Sequence, residues 1–223
     1  MLNRKKQNEI ENILQPIFEN YFTSKEAQSL LKKKESGHVM GTIIEENAGD
    51  YLKENNYVIE KEVNKLGEEK ARAHSDFEIV FGTSRYRVNV KFSSEKNGQP
   101  NVCSINRLLD GIRDNVIDSY YLLKVKHDRI TNKTKVYFVD ILDYLDRDCI
   151  HYNGGPGQTM LKEKKFYEVY GESGISTNLT LESKKKLLYE LYMKQMKKHI
   201  ELKSKQLIIR KSEYEGFNFV NGN

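Results

Sequence analysis

Between Asp76 and Phe92, polar and apolar side chains alternate with a period of two on either side of Gly82-Thr83-Ser84-Arg85. Such alternation marks a half-buried β-hairpin, because successive strand side chains leave opposite faces. With Thr83 and Ser84 as the turn residues, Gly82 faces Arg85, and counting outward sets Glu78 against Asn89 and Asp76 against Lys91. Asp76, Glu78, Asn89 and Lys91 then emerge on one face, while Phe77, Ile79, Phe81, Val88 and Val90 form a face that can pack. A chain built on this hairpin must fold around a sheet that carries a polar patch.

The flanking segments supply the rest. Residues 3 to 34 read as two helices, with Ile10, Ile13, Leu14, Ile17, Phe18 and Phe22 at three-to-four spacing, Pro16 as a kink and a break near Thr23 and Ser24. A third helix is expected from Val39 to Glu54, then a strand from Tyr57 to Val63 and a charged connection over 64 to 74. Beyond the hairpin come a helix near Ser104 to Asn115 and a strand pair, Tyr120 to Lys126 and Lys135 to Val139. His151 to Gln158, interrupted by three glycines and Pro156, reads as a loop. Residues 179 to 205 read as a long amphipathic helix with Leu187, Leu188, Leu191, Tyr192 and Met196 inward and its lysines outward. The expectation is an α/β (α+β) fold, a central mixed β-sheet flanked by helices. At 223 residues and 38% hydrophobic the chain suits one core, hence a single domain. Its parts are a helical N-terminal extension (1–35), a central core (39–140) and a basic helix and tail (179–211).

Several classes are excluded at this stage. No apolar run reaches the roughly 18 to 20 residues that cross a bilayer, and the charged start lacks a signal-peptide core, so no membrane partner and a cytoplasmic location are expected. Cys103 and Cys149 stand apart without Cys or His at metal spacing, which predicts two reduced, inert thiols. The five histidines are scattered, disfavouring a zinc hydrolase; there is no serine nucleophile elbow, and the glycine run at 154–157 lacks the lysine of a phosphate loop. Tyr120, Tyr121, Tyr189 and Tyr192 fall at core spacing.

Charge and donor chemistry point towards polyphosphate. From Glu182 to Lys211 there are ten Lys or Arg against three Glu, an excess of seven; with a total of +5, the remainder carries −2. A local basic stripe favours a polyanion, whose counterions are released on binding. Carboxylates held a few Å apart on rigid strands suit Mg²⁺, which takes oxygen ligands in octahedral geometry. An adjacent lysine can orient a water or neutralise charge developing on phosphorus, so this constellation favours phosphodiester hydrolysis.

The segments His74-Ser75-Asp76-Phe77-Glu78-Ile79 and Asn89-Val90-Lys91-Phe92 resemble the PD-(D/E)XK nuclease motif. The resemblance implies that Asp76 is the first acid and a metal ligand, and that Lys91 is the motif lysine. Asn89 stands where the family most often has Asp or Glu; its amide oxygen can ligate Mg²⁺ without bringing charge, and Glu78 is a secondary candidate for the missing carboxylate. The family also tends to carry a helical glutamate, for which Gly41-Thr42-Ile43-Ile44-Glu45 is similar, with Glu46 as a substitute.

The order of elements is most like a type II restriction endonuclease. That resemblance implies a restriction-endonuclease-like fold, Mg²⁺-dependent cleavage of double-stranded DNA at a specific sequence and a homodimer. It also implies a cognate DNA methyltransferase in the host that forms no stable complex with the nuclease. Asn and Gln read adenine and Arg or Lys guanine, so DNA-binding candidates are Ser93, Ser94, Lys96, Asn97, Gln99 and Asn101 after the Lys91 strand. Asn153 and Gln158 in the glycine loop and Lys184 and Lys185 on the basic helix join them. The N-terminal helices are the expected dimer surface. Two rival readings stand: a structure-specific or repair endonuclease, and a catalytically inactive nuclease fold that only binds DNA.

Overall fold

The computed structural model describes residues 4–33, 35–61, 75–94, 100–114, 117–153, 157–171 and 179–215. Three helices open the chain, α1 (Arg4–Thr23), α2 (Lys25–Leu31) and α3 (Gly37–Glu54). The break expected at Thr23 and Ser24 is present: Ser24 is extended and its side chain accepts from Ala27 N–H, capping α2. Ser36 caps α3 in the same way through Val39 N–H. Asn56, with φ 66°, turns the chain out of α3.

Strands β1 (Val58–Glu60), β2 (Phe77–Phe81), β3 (Ser84–Ser93), β5 (Tyr121–Asp128) and β6 (Lys133–Asp140) form one sheet in the order β1-β2-β3-β5-β6. Only β3 and β5 run parallel, so the central sheet is mixed. The crossover between them contains β4 (Asn101–Ser104) and α4 (Ile105–Arg113). A 3-10 helix (Ile141–Arg147), β7 (Ile150–Asn153), β8 (Gln158–Leu161), α5 (Glu163–Gly171) and α6 (Leu181–Glu215) complete the described chain. Strands β4, β8 and β7 make a second, antiparallel sheet. The fold is therefore α+β, with helices on both faces of the central sheet.

Each face of that sheet has its own core. The N-terminal helices bring Leu14, Phe18, Phe22, Met40, Ile44 and Leu52 against Phe77, Ile79, Val88 and Val90, the apolar face of the hairpin. Their apolar stripe thus closes the sheet rather than remaining available for a second copy, although Ile13 stays exposed. On the opposite side, α4, the small sheet, α5 and the first half of α6 cover β5 and β6 through Leu108, Ile112, Leu122, Val139, Phe166 and Leu188. No described helix is long and apolar enough to cross a membrane.

Three expectations are corrected. His151 to Gln158 is not all loop: His151–Asn153 and Gln158 are strand residues of a hairpin, with Asn153 opposite Gln158. The hairpin register differs by two. The turn residues are Gly82 and Thr83, so Glu78 faces Arg87 and Val80 faces Arg85. Gly82 has φ +58°, the left-handed conformation that a glycine-first hairpin turn requires and that glycine adopts without a Cβ penalty.

Lastly, Lys184 does not point outward. It is buried on α6 with its Nζ 2.6 Å from Asp140 Oδ2 and 2.8 Å from Asp143 Oδ1. Glu11 of α1 joins this cluster by accepting Asp140 N–H at 2.7 Å. The amphipathic helix itself is longer than expected, 35 residues, and every residue from Ile200 to Tyr214 is exposed.

Candidate active site

The register change leaves the hairpin's faces intact, because a slip of two residues preserves the side-chain alternation. Asp76, Glu78, Arg85, Arg87, Asn89 and Lys91 share the polar face. Asp76 precedes β2 and is tied to β3 twice: its N–H donates to Val88 O at 2.9 Å, and its Oδ2 accepts Val90 N–H at 2.6 Å. This fixes the carboxylate beside Asn89 and engages one of its two oxygens. Lys91 Nζ lies 3.9 Å from Asp76 Oδ2 and donates to Val90 O at 2.9 Å. Both side chains remain about a quarter exposed, at 22% and 24%, so the pair is reachable from solvent.

Helix α3 contributes Glu45. Met40, Ile44, Ala48 and Leu52 recur at four-residue spacing and are buried, which puts Glu45, 100° round from Ile44, at the rim of that stripe. Its Oε1 accepts from Lys61 Nζ at 3.3 Å. Burial pushes the Glu45 carboxyl up, the nearby Asp76 charge pushes it further, and Lys61 and Lys91 pull against both. Glu45, Asp76 and Lys91 therefore act on one another electrostatically. Glu46 is a further 100° round and exposed, outside this group.

Asn89 is buried beside Asp76, and its Oδ1 has no hydrogen-bond partner. Its side chain hydrogen-bonds to Tyr120, a wholly buried phenol that also bonds Cys103. Neither Cys103 nor Cys149 is in a disulfide; both thiols are buried, and burial raises both, Cys149 to about 11. Glu78 is accounted for otherwise. It is buried opposite Arg87, with Oε1 3.1 Å from Arg87 Nε and Oε2 3.2 Å from Arg85 Nη1. It stands opposite Arg87 rather than Asn89 and is engaged by two arginines on the same polar face.

The expected DNA contacts divide. Lys96, Asn97 and Gln99, like His74, lie outside the described residues. Ser93, at the end of the strand that carries Lys91, and Ser94 just after it are half-buried, and Asn101 opens β4 with a buried, partnerless Oδ1. Asn153 and Gln158 flank the tip of the β7–β8 hairpin. Lys185 is partly exposed and pairs with Glu182 at 3.0 Å, whereas the buried Lys184 is a structural ion pair and not a surface cation.

Sequence reasoning missed Lys61 and Lys124. Lys124 pairs in register with Lys91 across β3–β5, so the two share a face, and it forms a fully buried ion pair with Glu163 Oε1 at 2.5 Å. A lysine inside the run Tyr120-Tyr121-Leu122-Leu123-Lys124-Val125 is the legible signal, since charge in so apolar a strand requires a partner. Nothing local distinguishes Lys61.

Among the described residues no group of three or more His, Cys, Asp or Glu converges. The oxygen donors here are two carboxylates, Asp76 and Glu45, and the Asn89 amide. Mg²⁺ is commonly held by one or two carboxylates while keeping several waters, and the partnerless Asn89 Oδ1 is an oxygen of the type it takes. The donor set fits a hard divalent cation. Comparison with protein-family models and with curated proteins finds no match to this chain.

Proposed function

We propose that this protein is a Mg²⁺-dependent endodeoxyribonuclease of the PD-(D/E)XK kind, with a restriction-endonuclease-like core. The observation that carries the reading is the shared solvent-reachable face of Asp76 and Lys91, 3.9 Å apart, with Glu45 in electrostatic range. Asp76, Asn89 and Glu45 would hold the cation. A bound Mg²⁺ would supply a Lewis acid that lowers the pKa of water and offsets charge on a phosphate.

The chain's own groups do the remainder. Val90 N–H holds Asp76 Oδ2, leaving Oδ1 directed by a rigid strand rather than by a mobile side chain. Lys91, anchored by Val90 O, presents its ammonium where a water attacking phosphorus in line is oriented and the developing negative charge is met. Lys61 favours the ionised form of Glu45, against the burial and the Asp76 charge that push its carboxyl up.

The wider reading is a type II enzyme cutting double-stranded DNA at a specific sequence as a homodimer, with a separate host methyltransferase protecting that sequence. A dimer matches the two-fold symmetry of a palindromic duplex site. Asn101, Asn153 and Gln158 carry the side chains suited to base edges, and Lys185 suits phosphate.

Supercoiled plasmid incubated with Mg²⁺ tests this. The parent protein is expected to linearise plasmid into defined fragments, chelation to stop it, and Asp76→Ala or Lys91→Ala to abolish cutting while DNA binding persists. An Asp76→Ala protein that cuts at the parental rate overturns the assignment. A second reading, a nuclease fold that only binds DNA, is favoured by the neutral Asn89; unchanged plasmid with both parent and Lys91→Ala, alongside retained DNA binding, selects it.

A further inference from the structure

The partnerless Asn89 Oδ1 raises the question of what orients the amide. Tyr120 stands just before β5, on the same sheet face as Asn89, and its side chain is fully buried. A phenol has one proton to give. Asn89 Oδ1 has no hydrogen-bond partner, so the bond between the two side chains runs from the amide N–H to the phenol oxygen, which acts as acceptor and keeps its own proton for another neighbour. The amide nitrogen is thereby held inward, and the oxygen is the atom left without a protein partner. An amide oxygen buried in this way is costly unless something meets it.

We propose that Tyr120 is a positioning residue for the cation site, fixing the Asn89 amide so that Oδ1, not Nδ2, is offered beside Asp76. This rests on the reading of Asp76 and Asn89 as ion-holding residues. It answers a problem that an aspartate at position 89 would not pose. A carboxylate offers oxygen in either orientation, whereas an amide turned the wrong way offers a donor that repels a cation. Tyr120 is thus the device that lets a neutral side chain occupy this position.

The test is Mn²⁺ binding by the full-length protein without DNA, read from the EPR signal of free Mn²⁺, with thermal melts confirming each fold. Compared are the parent, Asp76→Ala, Tyr120→Phe, Asn89→Asp and the double variant Tyr120→Phe/Asn89→Asp. Losing one orienting hydrogen bond is expected to weaken Mn²⁺ binding roughly five- to tenfold in the Asn89 background. In the Asn89→Asp background the same change is expected to cost less than about twofold, because orientation no longer matters. Equal losses in both backgrounds, or none in the first while binding still depends on Asp76, overturn the inference alone. Parent protein that binds no Mn²⁺, or binds it equally after Asp76→Ala, overturns the metal reading and this inference with it.

Discussion

Glu11 offers the most quantitative test of how the N-terminal and C-terminal helices are joined through the sheet. It meets Asp140, Asp143 and Lys184 at a cluster shared by α1, the end of β6, the 3-10 helix and α6. Burial, reinforced by the Asp140 and Asp143 charges, pushes its carboxyl from 4.5 up to about 7, against the lowering effects of the Asp140 N–H and Lys184. In the unfolded chain Glu11 loses its proton near pH 4.5, whereas the folded protein keeps it until about pH 7. Stability from this group is therefore full below pH 4.5, falls as pH rises between the two values, and is flat above. A shift of this size corresponds to about 3 kcal/mol at 1.36 kcal/mol per pH unit, trimmed by partial exposure to roughly 2–3 kcal/mol. Glu11→Gln keeps an acceptor for Asp140 N–H and removes the titration. Thermal melts of both proteins from pH 4.5 to 8 are expected to diverge. The parent should lose about 5–10 °C relative to Glu11→Gln, at 2–4 °C per kcal/mol for a chain of this size. Parallel curves across that window would refute the argument that Glu11 is buried as an acid.

Lys184→Met should destabilise the protein by about 3–5 kcal/mol, because it leaves buried carboxylates unpaired; urea denaturation reads this, and DNA affinity of the folded fraction should stay within about twofold of the parent's. Lys61→Ala removes a charge that pulls the Glu45 carboxyl down, so the acidic limb of the cleavage–pH profile should move to higher pH; an unmoved limb would separate Glu45 from the reaction. Gly82→Ala forces a side chain into φ +58° and should cost about 1–2 kcal/mol in urea melts without altering the cleavage profile.

Much of the site was legible because a strand's face depends on parity alone. Counting from Thr83-Ser84 paired Asp76 with Lys91 and Glu78 with Asn89; the true turn at Gly82-Thr83 moves every partner by two, yet no side chain changes face. Asp76, Asn89 and Lys91 therefore meet as the alternation implies, while Glu78, opposite Arg87, passes from spare ligand to ion-pair partner. Glu45 was readable for a similar reason: four-residue apolar spacing in α3 places it at a rim.

The sequence by itself determined what short-range geometry controls: the first three helices and the break between the first two, the hairpin and its two faces, and the neighbouring strand pair. Only the tertiary structure decided which charges are buried. Lys184 and Lys185 are adjacent in one lysine run, and nothing local marks the first as turned to Asp140 and Asp143. Lys124 survives inside a strand only because Glu163, 39 positions later, arrives with α5. The small β4-β8-β7 sheet likewise forms through partners distant in the chain. The physical reason is that desolvation and ion pairing depend on which elements pack together, a non-local fact, whereas turn chemistry and periodicity are written into a few consecutive residues.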